Sequence, residues 1–328
     1  MFIFKKMCIL LMLIMFIFIQ LISDILLKWL LIEISTILFI YYMNFKSLNK
    51  IISIYYFSIS MISGIFMILL MIMYFNFLII NNFLFNLILQ LNLFLKIGIF
   101  PFSFLLIYIY NKLNWDEIFL MSTFMKFLPS IFFIELINLN KYLIYILLFN
   151  SLMISLISLN YYSIKKIIAC SSINHSLMMI LMLYMNKKMF FIYMIMYMLL
   201  LFMLIYMFNL MNINNKFNLI KIFQFNKFNL IYSLIIFMYS MLPPFTSMMI
   251  KWMFFFEILN QYINFMYMIF IMIFSMILMT WNYFNLSKYL IYNNLMMKKI
   301  YLNKFINLLM FMLMIFLNMF MIFLFNLY

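Results

Sequence analysis

The chain has 328 residues, 71% hydrophobic and 8% charged, with a mean hydropathy of +1.21. Apolar runs follow one another from end to end, leaving no polar stretch long enough for a soluble domain, and the period-two alternation of a transmembrane barrel is absent. The net charge of +15 comes from lysines scattered singly or in pairs between those runs, with no basic face and no motif, which sets nucleic acid aside as a partner. What remains is an all-α, polytopic membrane bundle in one domain, because about 20 apolar residues cross a bilayer as a helix and a helix satisfies its own backbone in lipid.

Eleven spans are predicted, at about 7–23, 25–43, 51–74, 83–110, 115–137, 142–163, 166–185, 189–211, 228–256, 263–285 and 306–326. Lys5 and Lys6 ahead of the first imitate a signal peptide, but no small-residue cleavage site follows and Ala169 is the single alanine, so this helix is expected to be retained. The second span carries Glu33, one turn from Trp29. The fourth carries Lys96, followed by Gly98 and Pro101. Asp116 and Glu117 open the fifth, where the helix dipole favours negative charge, and Lys126 and Pro129 follow within it. The seventh places Ser171 one turn before His175, the only histidine. The ninth holds Pro243, Pro244 and Lys251, and Glu135 and Glu257 stand at span ends as expected interface anchors. Of the two longest connections, about 212–227 and 286–305, the second is either an amphipathic stretch on the membrane surface or an ordinary loop. Cys8 and Cys170 have no partner spacing and read as small core residues.

Sorting the 21 basic residues, all lysine, puts fourteen on the side of the N-terminus, four opposite, and three within spans. That asymmetry predicts the N-terminus inside and the C-terminus outside. The three lysines within spans are Lys96, Lys126 and Lys251, and Glu33 is the matching carboxylate. A charge at membrane depth costs about 2.5–3.5 kcal/mol on insertion scales and by default marks an ion or proton path. Lys251 is near a span end, so snorkelling competes there, and His175 serves equally as an interhelical hydrogen bond.

All four prolines lie within eight residues of one of these lysines. Proline removes a backbone donor and frees a carbonyl, which at membrane depth is tolerated where the break lines a cavity or water. Spans four and nine, each with a lysine and a proline break, are an odd number of crossings apart and therefore run in opposite directions. Such a pair points to an ion site between inverted halves, here about 7–137 and 142–285, with 306–326 appended. The residue usage itself, with no arginine or valine, two glycines and 40 methionines, suggests an A/T-rich mitochondrial gene and hence the mitochondrial inner membrane.

At these residues the chain resembles the subunit 2 family of mitochondrial NADH:ubiquinone oxidoreductase (respiratory complex I), an antiporter-like membrane subunit. The resemblance runs from about 25 to 285 and rests on KWLLIEIST at 28–36, KIGIFPFSF at 96–104, WDEIFLMSTFMKFLPS at 115–130, SSINHS at 171–176 and LPPFTSMMIKW at 242–252. One departure is Ser176-Leu177, where the family often has Gly-Trp.

The resemblance implies proton translocation across the inner membrane, coupled to electron transfer from NADH to ubiquinone in other subunits. Glu33 paired with Lys96 is then an adjustable switch, since burial loosens a lysine's hold on its proton and a neighbouring carboxylate restores it. Lys126, His175 and Lys251 form the onward relay, with Ser171 and the breaks at Pro101, Pro129, Pro243 and Pro244 supporting it. No cofactor is expected in this chain, flavin and iron–sulfur clusters belonging to partner subunits. The implied partners are other membrane-arm and accessory subunits and phospholipids such as cardiolipin, in a hetero-oligomer. A free-standing cation/proton antiporter of the same ancestry, or a scaffold whose charges only fix helix packing, are the alternatives. A cytochrome b or an oxidase core is excluded by the single histidine.

Overall fold

The computed structural model describes residues 2–46, 50–75, 82–136, 141–210, 213–216, 229–240, 245–261, 266–292 and 318. These residues form thirteen α-helices and no β-strand. In chain order they are α1 (Phe2–Leu21), α2 (Ile25–Lys46), α3 (Lys50–Phe75), α4 (Asn82–Ile97), α5 (Ser103–Lys112), α6 (Trp115–Ser122), α7 (Phe124–Leu136), α8 (Lys141–Leu159), α9 (Ile164–Met185), α10 (Lys187–Leu210), α11 (Asn229–Tyr239), α12 (Thr246–Gln261) and α13 (Met266–Tyr292). Serines along them turn their hydroxyls back onto carbonyls three residues earlier, as Ser63 does to Ser60 at 2.8 Å and Ser130 to Phe127 at 2.8 Å. That local bond lets a polar side chain sit in an apolar helix without an orphaned donor.

Among the described residues, seven helices are long and apolar enough to cross a membrane: α1, α2, α3, α8, α9, α10 and α13. Three predicted spans are instead interrupted. The stretch 83–110 divides into α4 and α5, 115–137 into α6 and α7, and 228–256 into α11 and α12. The span at 306–326 lies, apart from residue 318, outside the described residues.

The chain forms two compact units, Met1–Leu147 with His175–Tyr184, and Leu148–Asn174 with Met185–Tyr328. In the first, α2 is central and packs against α1, α3, α6 and α7, while α4 lies against α3 and α7. Its core includes Met12, Ile32, Phe39, Ile97, Tyr110 and Phe127, whereas α3 turns Ile51, Ile54, Ile62 and Ile65 outward. An apolar exterior of that kind suits lipid and not water. In the second, α11 packs on α10 and α13, and α12 on α10.

The interruption between α4 and α5 has a clear local cause. Gly98 adopts φ +80, and the amides of Gly98 and Ile99 both donate to the Phe94 carbonyl, at 2.8 and 3.0 Å. That left-handed residue closes the helix as glycine caps do. The Phe100–Pro101 peptide is cis, and α5 starts two residues after Pro101.

The second interruption differs from expectation. Pro129 lies inside a continuous α7, and the chain breaks at Thr123 (φ −103, ψ −86), three residues before Lys126. A proline six positions into a helix costs one internal bond, leaving the Met125 carbonyl without its usual donor, but leaves the helix path intact. At Thr123 the hydroxyl and amide both turn back to the Phe119 carbonyl, at 2.7 and 3.1 Å. α6 itself begins with a reciprocal cap between Asn114 and Glu117, whose carboxylate is fully buried.

Candidate functional site

The first unit brings Glu33 and Lys96 together. Lys96 stands in the last turn of α4, where the carbonyl end of the helix dipole favours a cation, and its Nζ donates to Glu33 Oε1 of α2. The lysine side chain is 7% exposed and the carboxylate 21%. Facing the carboxylate across α3 is Gly64, where an added Cβ would lie 3.3 Å from Glu33 Oε1. One of the chain's two glycines therefore makes room for the acid, and the other ends the helix that presents the base. Asn92, one turn before Lys96, is buried, and neither end of its amide has a hydrogen-bond partner among the described residues.

Lys126 of α7 is buried, with its ammonium 5.9 Å from the centre of the Tyr110 ring of α5, a distance at which the ring face attracts a cation. His175 of α9 is also buried and belongs to the same unit.

A second ion pair in this unit joins α2 to α7. Lys28, near the start of the second predicted span, is buried and pairs with Glu135, which stays exposed near the end of α7: Nζ stands 2.5 Å from each carboxylate oxygen. The side chains are 6% and 33% exposed. Helix α2 thus offers an acid to α4 and, five residues earlier, a base to α7. Nothing in the separate sequence segments pairs 28 with 135. Replacing Lys28 by Met is expected to lower stability by about 1–3 kcal/mol, below the figure for a fully buried pair because Glu135 reaches the surface. Thermal unfolding of Lys28→Met and of Lys28→Met/Glu135→Gln, the double variant recovering most of the loss, checks this.

In the second unit Lys251 lies within α12 and is fully buried. Pro243 and Pro244, expected to break this span, lie outside the described residues. Ser171, expected to support His175, has its hydroxyl engaged elsewhere: it accepts from Tyr283 at 2.7 Å, shares a 3.2 Å bond with Tyr239 and donates to the Ile168 carbonyl. Asn282 donates to Ser158 at 2.6 Å. Glu257, also expected at an interface, is buried and accepts from Asn186 Nδ2 at 3.0 Å. The tyrosines carry no sequence signal because the chain has 24 of them. Among the described residues no three His, Cys, Asp or Glu side chains gather as metal ligands would.

Interrupted apolar helices with lysines and carboxylates between them define a multi-pass helical membrane protein with charge held inside the bundle. The solved structure of respiratory complex I from Thermus thermophilus with bound aureothin contains a chain of the same fold, with a TM-score of 0.68 at 16% identity. The match covers 81% of this chain and 65% of that one, so the present chain spans just under two thirds of the bacterial neighbour. No family model matches. NADH-ubiquinone oxidoreductase chain 2 of Apis mellifera ligustica is 36% identical over 281 residues, 81% of this chain and 79% of the relative. The chain belongs to the NADH-ubiquinone oxidoreductase chain 2 family.

Proposed function

We propose that this chain is a membrane-arm subunit of respiratory complex I that moves protons across the bilayer, driven by electron transfer in other subunits. The observation that carries this reading is the Glu33–Lys96 ion pair at the end of an interrupted helix, in a chain of the NADH-ubiquinone oxidoreductase chain 2 family. An acid beside a buried base gives a proton two states of different stability: paired, the ammonium is held; separated, the amine releases it. Lys126, His175 and Lys251 are the onward stations, buried on α7, α9 and α12.

The family speaks against a free-standing antiporter. Flavin and iron–sulfur chemistry belongs to partner subunits, and the chain works as part of a hetero-oligomer, with phospholipids such as cardiolipin around it. Pairing α4 with α5, α6 with α7 and α11 with α12 completes three more crossings, and a further one at 306–326 gives eleven. The halves at about 7–137 and 142–285 are then inverted repeats, each with an interrupted helix carrying a lysine. The lysine asymmetry puts the N-terminus on the matrix side of the mitochondrial inner membrane.

The test is Lys126→Met in the assembled complex of a host whose resident subunit this chain replaces. Methionine keeps the volume and removes the proton. The expected result is normal assembly with a lowered proton-to-electron ratio. An unchanged ratio in a normally assembled complex overturns the reading.

A further inference from the structure

We infer that Glu257 is a proton-holding acid that continues the path beyond Lys251, an inference that rests on the proton-translocating reading. The sequence contains six carboxylate side chains, and Glu257 is the sole one within 148–174 and 185–328, the stretches that make the second unit. It lies on α12, the helix of Lys251, and only 7% of it is exposed. Any proton that leaves Lys251 for a side-chain carboxylate of its own unit goes to Glu257.

The surroundings of the carboxyl group suit such a role. Its Oε1 accepts from Asn186 Nδ2 at 3.0 Å. The orientation of that amide is fixed from the other side, because Asn186 Oδ1 accepts the backbone N–H of Lys188 at 3.0 Å. A neutral donor of fixed direction can bond Oε1 both when the group is ionised, where the bond is the stronger, and when it is protonated on the other oxygen. Oε2 is buried and has no hydrogen-bond partner among the described residues, and the described residues give Glu257 no ion pair. A permanent anion held this way would leave one buried oxygen without a hydrogen bond from any described residue. An interface anchor would turn both oxygens to water. A group that takes a proton on Oε2 and gives it up again fits the observed environment.

Glu257 is six positions after Lys251, about 9 Å along a helix axis, so the transfer needs an intermediate hop. The balance is simple. An N–H bond of the Lys251 ammonium breaks and an O–H bond forms on Glu257 Oε2, leaving a neutral amine and a neutral carboxyl group. The carboxyl group then loses that proton toward the aqueous side and returns to the carboxylate.

The decisive variant is Glu257→Gln, which keeps the volume and still accepts from Asn186 but binds no proton. It is measured beside Lys251→Met in the assembled complex, with proton translocation and NADH oxidation recorded together. Glu257→Gln is expected to slow proton translocation about a hundredfold or more with assembly intact, in the range general acid–base groups contribute, and Glu257→Asp to recover part of it. A carboxyl stretch in the infrared difference spectrum is expected to vanish in Glu257→Gln and to shift in Asn186→Ala. If Lys251→Met stops translocation while Glu257→Gln translocates normally and loses no carboxyl band, the role of Glu257 is refuted and the wider reading stands. If neither variant changes translocation, the wider reading falls with it.

Discussion

Replacing Lys96 by methionine is expected to stop proton translocation while the helices around it stay in place. Its Nζ is the donor to Glu33, and at 7% exposure little solvent can take its place. Losing the base leaves Glu33 without its ion-pair partner in a mostly apolar setting. Breaking a fully buried pair costs about 3–5 kcal/mol; with Glu33 one-fifth exposed, about 1–3 kcal/mol is expected. Glu33→Gln alone strands the lysine at a similar cost. The double variant Glu33→Gln/Lys96→Met removes both charges and is expected to regain most of the stability without regaining translocation. Thermal stability of the assembled complex and its proton-to-electron ratio separate the two effects. A Lys96→Met complex that translocates normally would remove the pair from the mechanism.

Gly98→Ala carries the second large effect, and it acts through the backbone. At φ +80 an L-residue with a Cβ is strained by about 1–2 kcal/mol. The added methyl would also stand 1.9 Å from Leu106 Cδ1 of α5, and overpacking of a filled core adds about 1–3 kcal/mol. The sum, about 2–5 kcal/mol, falls on the segment that delivers Lys96 to Glu33. Loss of assembled complex on native gels is the expected result, partly relieved by Leu106→Ala, which vacates the contact. Normal assembly of Gly98→Ala would show that the turn tolerates other backbone conformations.

The apolar runs reveal the helices because bilayer-length hydrophobicity is a property of local sequence. The break after Lys96 is legible for the same reason: glycine and proline report directly on backbone geometry. Thr123 gave no such signal, since threonine is ordinary in helices and its turn is held by a hydroxyl bond to Phe119 seen only in three dimensions. Pro129 signalled a break that α7 absorbs. At the site, Lys96, Lys126, His175 and Lys251 stand out as titratable residues in apolar surroundings, and all are substantially buried. The Lys28–Glu135 pair and the bond from Asn186 to Glu257 escape a linear reading because their members are 107 and 71 residues apart. The Ser171 hydroxyl illustrates the same limit. Helical spacing places it one turn from His175, but it engages Tyr239 and Tyr283.

Gly64 has a consequence for speed. A glycine opposite the Glu33 carboxylate gives the acid a smooth stretch of main chain to slide across instead of a side chain to push aside. A side chain at this position would meet the carboxylate at 3.3 Å, so Gly64→Ala is expected to hinder the rotamer change that parts the acid from the base.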